Sequence, residues 1–268
     1  MKTEKDSPTR PDRQDPFHLP RNIGKHLKKC FDAYSSQDRR APSCVKYLWL
    51  YVENASRASD DKRANARALQ LDDWLNVVDE AASLGAHCVI VCVQAPLGQY
   101  PDLWRLCQWA QTPHDMMVGL YSGGTTFEDV DIEAIKLLDL SRLCLFVDKK
   151  YVKTVKKAVA HEGIAVCSAD VDHEEHAPPC SMPEDIICVG AEGNLYTCGL
   201  VLGNEEFNLG NVFEKPLHAV VEDDSLPRHV PADVPHNGQK SCTACPPLMA
   251  ERVMRQGAQA GGADQPVG

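Results

Sequence analysis

The chain has 268 residues, of which 43% are hydrophobic and 25% charged, and its formal net charge at pH 7 is −10. This composition is typical of a folded globular protein with a substantial core. The acidic balance argues against general nucleic-acid binding, which requires lysine and arginine to neutralise phosphates. The longest apolar runs, such as residues 88–93, are far too short to span a bilayer, so no membrane partner is expected. Residues 1–16 lack an apolar secretory signal, which predicts a cytoplasmic protein.

The first 43 residues form an N-terminal extension with little to bury. Residues 1–20 are rich in Pro, Asp, Lys and Arg, which predicts disorder. A short helix is predicted from Ile23 to Ala33, with a basic face that is either solvated or a docking surface for a partner.

From residue 45 onward, short apolar runs alternate with amphipathic segments. Leu71, Trp74 and Val78 fall at helical spacing, and Gly85 ends that segment. The pattern predicts strands and helices in strict alternation: strands at 45–52, 87–93, 116–121, 142–147 and 164–167, and helices at 71–84, 101–111, 128–140 and 150–161. Such alternation indicates βαβ units and a parallel sheet, which right-handed crossovers turn into an open or partly closed barrel.

The pattern changes after residue 176. Residues 185–198 predict a β-hairpin around a Glu192-Gly193-Asn194 turn. The segment beyond it is rich in Gly and Pro and cannot easily build a core alone, so a covalent or metal staple is expected. Residues 256–268 are of low complexity and are predicted to be disordered.

Twelve cysteines are many for a chain with no export signal, because disulfides do not persist in a reducing cytoplasm. Six of them sit among Val, Ile and Leu and are predicted to be small buried hydrophobes: Cys88, Cys92, Cys107, Cys144, Cys167 and Cys188.

The spacing of four other cysteines is typical of a metal site. Cys180 and Cys198 form C-x17-C, and after a gap of 43 residues Cys242 and Cys245 form C-x2-C. Four converging thiolates suit an iron–sulfur cluster or a zinc ion. Zinc ribbons normally present two C-x2-C pairs, which favours the cluster here. Zinc and unliganded thiols stay open as alternatives.

These features together resemble a known family. The βα repeats, the C-x12-G-x4-C phrase from Cys180 through Gly193 to Cys198, the Leu-Gly-Asn-Val phrase at 209–212 and the closing C-x2-C resemble a radical SAM enzyme barrel with a C-terminal SPASM or Twitch domain. The resemblance covers roughly residues 44–250. It implies an α/β fold: a partial parallel (β/α) barrel of radical SAM type, followed by a small SPASM/Twitch-like iron–sulfur domain that contains a β-hairpin.

The resemblance also implies a cofactor and domain boundaries. No cysteine follows Cys245, as in the one-cluster Twitch form, so one auxiliary [4Fe-4S] cluster is expected on Cys180, Cys198, Cys242 and Cys245. The expected divisions are an extension at 1–43, the partial barrel at 44–176, the cluster-binding domain at 177–255 and a tail at 256–268.

The departures from the family concern its catalytic cluster. A radical SAM barrel binds that cluster through C-x3-C-x2-C after the first strand, and no three cysteines of this chain have that spacing. The Gly-Gly-Glu-Pro phrase that follows the second strand in the family is replaced by Val-Gln-Ala-Pro at 93–96. SAM binding is therefore not expected, and no catalytic residue is assigned. Without SAM bound to such a cluster, the radical chemistry of that cofactor has no source.

Weaker candidates lie between the barrel and the cysteines. His173 and His176 form a His-x2-His pair that either binds a metal or belongs to a solvated acidic loop. Asp148, Asp170 and Asp172 follow predicted strands and either line a cavity or cap helices.

The leading functional hypothesis is a non-catalytic radical-SAM-like protein. It would carry one auxiliary cluster and act as an electron relay or scaffold for a radical SAM enzyme or peptide-maturation complex. The alternatives are a barrel enzyme with SAM-independent chemistry and a zinc-stapled module for partner recognition.

Overall fold

The computed structural model describes residues 45–52, 67–93, 96–123, 127–170, 185–227, 230 and 242–250. The expectations for the N-terminal extension, the Asp172–His176 loop, Cys180 and the C-terminal tail lie outside the described residues. Within the described part, every helix is too short or too polar to cross a membrane.

Eight strands form one mostly parallel sheet. The order is β5-β4-β3-β2-β1-β6-β7-β8, with parallel pairing from β5 through β6 and antiparallel pairing of β6 with β7 and of β7 with β8. The strands are β1 Tyr47–Tyr51, β2 Cys88–Cys92, β3 Met117–Tyr121, β4 Leu143–Val147, β5 Ala165–Ser168, β6 Ile186–Val189, β7 Asn194–Tyr196 and β8 Asn208–Asn211. The predicted α/β class with a partial parallel barrel is confirmed.

In the described residues, four α-helices connect successive strands from β1 to β5, and a fifth follows β8. They are α1 Leu71–Ser83, α2 Leu103–Gln111, α3 Asp129–Lys136, α4 Val152–Ala158 and α5 Leu217–Val221. The predicted third helix was too long at its C-terminal end. The side chain of Asp139 accepts a hydrogen bond from the backbone N–H of Ser141, and this local cap starts a short 3-10 turn, Leu140–Arg142, in place of further α-helix.

The two faces of the sheet bury different side chains. Because side chains alternate along a strand, Leu48 and Leu50 of β1 point to the helix-covered outer face, whereas Tyr47, Trp49 and Tyr51 point to the opposite, inner face. The inner face is covered by residues 198–207 and 242–250. Both faces of the parallel strands are therefore buried, as expected for a sheet of this type.

The C-terminal hairpin is continuous with the barrel sheet. β6 pairs with β1 in parallel, and Lys46 forms an ion pair with Asp185 at 2.8 Å. The turn between β6 and β7 requires Gly193, whose φ is +81°, as its sequence position predicted. Beyond it the sequence indicated only loops, but the structure contains β8 and α5. Glu80 of α1 accepts the first backbone N–H of α5 at 2.5 Å.

Gln111 at the end of α2 provides a test of packing in this layer. It is 1% exposed, and its amide donates to the carbonyl of Asp139 at 3.0 Å and accepts from the N–H of Asp139 at 2.9 Å. Gln111→Leu removes both hydrogen bonds and leaves the backbone C=O and N–H of Asp139 without them. We therefore expect the free energy of unfolding in urea to fall by about 1–3 kcal/mol. Gln108→Leu, at an exposed position of the same helix, is the control and is expected to change it by less than about 0.5 kcal/mol. Equal effects would contradict this account.

Candidate metal centre

The inner face of the sheet is lined by aromatic rings and sulfur atoms. Trp49, Phe146 and Tyr196 are almost completely buried there. The cysteines of the same buried cluster come from four strands and two loops: Cys88, Cys92, Cys144, Cys167, Cys188, Cys198 and Cys245. All six cysteines that the sequence predicted to be buried are buried, and five of them face this side.

Cys198 enters this face directly after β7. Its backbone is extended, so its side chain lies on the same side of the hairpin as Tyr196, and it is 7% exposed. The backbone N–H of Leu200 donates to the Cys198 sulfur at 3.4 Å. A hydrogen bond to sulfur stabilises the thiolate form that a metal or cluster requires.

Gly199 holds this loop against β1. A Cβ at Gly199 would lie 2.8 Å from two atoms of the Trp49 indole and 2.7 Å from the Tyr51 hydroxyl. No other residue type fits this approach without moving buried rings. Because Gly199 has no side chain, the loop that carries Cys198 packs directly against the rings of β1.

Cys242 and Cys245 lie in a closed turn. The N–H of Cys245 donates to the carbonyl of Cys242 at 3.0 Å, and Ala244 between them has φ +59°. This left-handed conformation is rare for alanine and has a cost, which the surrounding contacts must offset. The N–H of Ala244 also donates to the carbonyl of Ala169 at 3.3 Å, which fixes the turn beside the end of β5. Residues 246–250, directly after the turn, are helical.

Cys188 lies closer to these cysteines than the sequence reasoning recognised. It is opposite Tyr196 in the pairing of β6 with β7, on the same face as Cys198. Burial, and then the nearby thiols of Cys198, Cys92 and Cys245, raise the pKa of Cys188. Side chains alternate along a strand, so Cys198 and Tyr196 share a face, and the hairpin pairing places Cys188 opposite Tyr196. This alternation is the sequence signal that could have identified Cys188.

The structure thus places three of the four predicted ligands on one side of the sheet. Cys198 and Cys245 belong to the buried cluster, and Cys242 packs against it. Cys180 lies outside the described residues. Among the residues that are described, no group of three or more Cys, His, Asp or Glu side chains stands ready to hold a metal ion. The thiol donors, the N–H···S contact and the C-x2-C turn fit a cluster or zinc in kind, and the fourth ligand is still needed.

Two other buried thiols, Cys107 and Cys144, are poor nucleophiles. Burial raises the pKa of Cys107 to about 12. Burial and the neighbouring Cys167 raise the pKa of Cys144 well above its usual value, and the two sulfur atoms are 3.4 Å apart. Thiols that stay protonated are unreactive.

Polar residues meet where the parallel strands end. The Tyr121 hydroxyl donates to Asp148 at 2.9 Å, and the Ser168 hydroxyl donates to Asp170 at 3.2 Å. Asp170 also accepts the backbone N–H of Lys149. The sequence left two roles open for Asp148 and Asp170, lining a cavity or capping a helix. In the structure, Asp148 contacts the end of β3 through the Tyr121 hydroxyl, and Asp170 contacts the end of β5 and the loop before α4.

The hydrogen bond between Tyr121 and Asp148 leads to a prediction about the pKa of Tyr121. Burial first, and then the charge and hydrogen bond of Asp148, raise the pKa of Tyr121 above its usual 10.0. Asp148→Asn removes the carboxylate that repels the phenolate, so we expect the pKa of Tyr121 to fall while remaining above 10.0, because burial persists. Spectrophotometric tyrosinate titration measures it, with Tyr121→Phe identifying the signal. Asp129→Asn, an exposed carboxylate on α3, should leave the curve unchanged; a shift equal to that of Asp148→Asn would contradict the assignment.

A separate cleft opens on the helix side of the sheet. It has a volume of about 210 Å³ and lies between the end of β1 and the first turns of α1 and α2. Val52, Trp74, Tyr100 and Leu103 supply its apolar wall, and Gln70 supplies an amide. Cys198, Cys242 and Cys245, the predicted ligands that the structure describes, are not among its lining residues.

Comparisons with known proteins relate to the fold. No protein-family model matches the chain, and no curated protein matches it. Among solved structures it is similar to BtrN in complex with AdoMet and 2-DOIA, at 13% identity and a TM-score of 0.50, over 67% of this chain and 83% of BtrN. It is also similar to Streptococcus suis SuiB bound to S-adenosylmethionine, at 11% identity and a TM-score of 0.44, over 69% of this chain and 67% of SuiB. SuiB bound to precursor peptide SuiA matches at 12% identity and a TM-score of 0.43, over 84% and 74%.

The likeness to BtrN, together with the mostly parallel eight-stranded sheet, shows a radical SAM-like fold. At 13% identity, the likeness supports a shared architecture and gives no information on whether this chain binds the ligands of BtrN.

Proposed function

We propose that this chain is a non-catalytic radical-SAM-like iron–sulfur protein. One auxiliary [4Fe-4S] cluster would be held by Cys180, Cys198, Cys242 and Cys245. The observation that carries the proposal is the placement of Cys198 and the C-x2-C turn against the same buried face of the sheet.

The described residues would perform three tasks at such a site. A bound cluster would supply one-electron transfer. The Leu200 N–H is aimed at the Cys198 sulfur, a contact that shifts a cluster's reduction potential upward by lowering the charge on sulfur. The Trp49 and Tyr51 rings, pressed against Gly199, exclude water from one side. The contact of Ala244 with Ala169 holds the C-x2-C turn in place.

The proposed role is that of an electron relay or scaffold for a radical SAM enzyme in peptide maturation. The radical SAM-like fold supports the choice of partner class, since proteins of this kind resemble accessory subunits of radical SAM enzymes. The missing C-x3-C-x2-C motif supports a non-catalytic role and the absence of SAM binding.

Two other functions stay as alternatives. The helix-side cleft is the observation that favours a barrel enzyme with SAM-independent chemistry, because an apolar pocket with a polar group suits a small ligand. A zinc-stapled module for partner recognition would use the same four cysteines.

Elemental analysis of anaerobically purified protein tests the cluster. We expect brown protein with about four irons per chain and an electron paramagnetic resonance signal after reduction. Cys242→Ala/Cys245→Ala should lose the iron and unfold the surrounding segment, because ligand binding there contributes folding free energy. Cys107→Ala, a buried thiol on α2 at the outer face, is the matched control and should keep the iron. Colourless protein with one zinc would exclude the cluster.

Titration with SAM tests the non-catalytic part separately. Calorimetry is expected to detect no binding of SAM to the iron-loaded protein. Tight binding, or 5′-deoxyadenosine formed on reduction, would contradict the proposal even if the auxiliary cluster were present.

A further inference from the structure

One surface of this acidic molecule is strongly basic. Residues 149–157 contain five lysines and no carboxylate, while the whole chain has a net charge of −10. Two of the lysines precede α4 and three lie on it. Four of the five are exposed: Lys149, Lys150, Lys153 and Lys157.

The helix dipole accounts for at most two of these lysines, Lys156 and Lys157, which lie in the last turn of α4. Lys153, Lys156 and Lys157 are three and four residues apart, so they are neighbours on the helix surface, away from the buried Val155. Like charges at that spacing cost about 0.2–0.5 kcal/mol for each pair. The lysines ahead of α4 also oppose the helix dipole, and the first turn contains no acidic residue to offset them.

Three described carboxylates that flank α4 in the chain already have other contacts. Asp148 accepts the Tyr121 hydroxyl, Asp170 accepts a serine hydroxyl and a backbone N–H, and Glu162 pairs with Lys136 at 3.0 Å. In the part of the chain that the structure describes, the four exposed lysines form no ion pair. Their charge is therefore available to a partner.

The basic surface lies at one end of the sheet. α4 packs against β5, which is an edge strand of the described sheet. The four exposed lysines lie on the solvent side of this layer.

We propose that the α4 lysine surface docks an acidic, extended peptide segment of a partner protein. The argument is charge complementarity: a compact positive patch on a negative molecule attracts and orients an anionic segment. A short acidic segment can lie on this patch alone, whereas a long phosphate backbone would extend over the acidic remainder of the surface. This surface does not depend on the metal centre.

The probe is a fluorescein-labelled decaglutamate peptide, followed by fluorescence anisotropy at about 20 mM salt, where surface charges are weakly screened. Lys153→Glu/Lys157→Glu should weaken binding by roughly tenfold, because each reversed charge changes an exposed pair interaction by up to about 1 kcal/mol. Arg105→Glu/Lys215→Glu changes the net charge equally at exposed positions elsewhere and should weaken binding by less than about twofold.

Three results would overturn the docking proposal. They are no binding to the wild-type protein at low salt, equal losses in both double variants, and tighter binding of a ten-residue oligothymidylate than of the peptide. Circular dichroism checks that both variants fold. Because the readout does not use iron, colourless protein that binds the peptide would remove the cluster proposal and leave this one standing.

Discussion

Trp49→Ala is expected to lower the free energy of unfolding by about 3–5 kcal/mol, the range for deleting a large buried aromatic side chain. Trp49 is 0% exposed at the centre of the inner face. Its indole N–H donates to the Cys92 sulfur at 3.1 Å, and its ring contacts the backbone at Gly199. The substitution therefore leaves a cavity between β1 and the loop that carries Cys198, which the rigid sheet cannot close.

Denaturant unfolding measures this effect, and Trp109→Ala is the matched control. Trp109 is 39% exposed, and its main polar contact is a hydrogen bond to Asp79. Its loss is expected to cost about 1 kcal/mol or less. A Trp49 variant as stable as the Trp109 variant would show that the inner face is not a packed core. Under the proposed function, the Trp49 variant should also bind less iron.

Gly199→Val is expected to destabilise the protein by about 3 kcal/mol, at the upper end of the range for overpacking. The new Cβ would meet the Trp49 ring and the Tyr51 hydroxyl at less than 3.0 Å, and both side chains are buried. A Cβ at Gly119 would also meet buried side chains, the end of Ile90 and the ring of Phe146. Gly199 is the position that tests the packing of the loop that carries Cys198.

Two further variants make the prediction specific. Gly98→Ala is a control, because a Cβ there has nothing within 4 Å and stability should change by less than about 0.5 kcal/mol. Trp49→Phe removes the ring atoms that clash, so Gly199→Val/Trp49→Phe should lose less stability than the two single losses added together. Strict additivity would mean that the Gly199 contact with Trp49 is not the source of the effect.

The sequence predicted the repeating part of this fold well. All five parallel strands from β1 to β5 were found, because both of their faces are buried and their apolar runs are bounded by Gly, Pro and polar residues. β8 and α5, of four and five residues, were missed because they lie in the segment rich in Gly and Pro, where the apolar pattern is weak. β8 also contains Gly210 at φ +126°, and its pairing with β7 has a register shift, so its strand conformation depends on tertiary contacts.

The sequence identified the C-x2-C pair of Cys242 and Cys245, which the structure places in a closed turn, but it did not predict the surroundings of the candidate site. The nearness of Cys188 follows from hairpin register, and the approach of Gly199 to Trp49 joins residues 150 positions apart in the chain. Apolar periodicity contains no information about such contacts. Ligation by Cys180 stays a prediction.

The pairing of β1 with β6 has a consequence for folding during synthesis. Lys46 and Asp185, which pair at the start of these strands, are 139 residues apart. One edge of β1, an apolar strand, therefore stays open until β6 has left the ribosome. Unpaired strand edges template association with other chains, and long-range pairing slows folding. The nascent chain is exposed to aggregation throughout this interval, so its yield of soluble protein should depend strongly on temperature and chaperones.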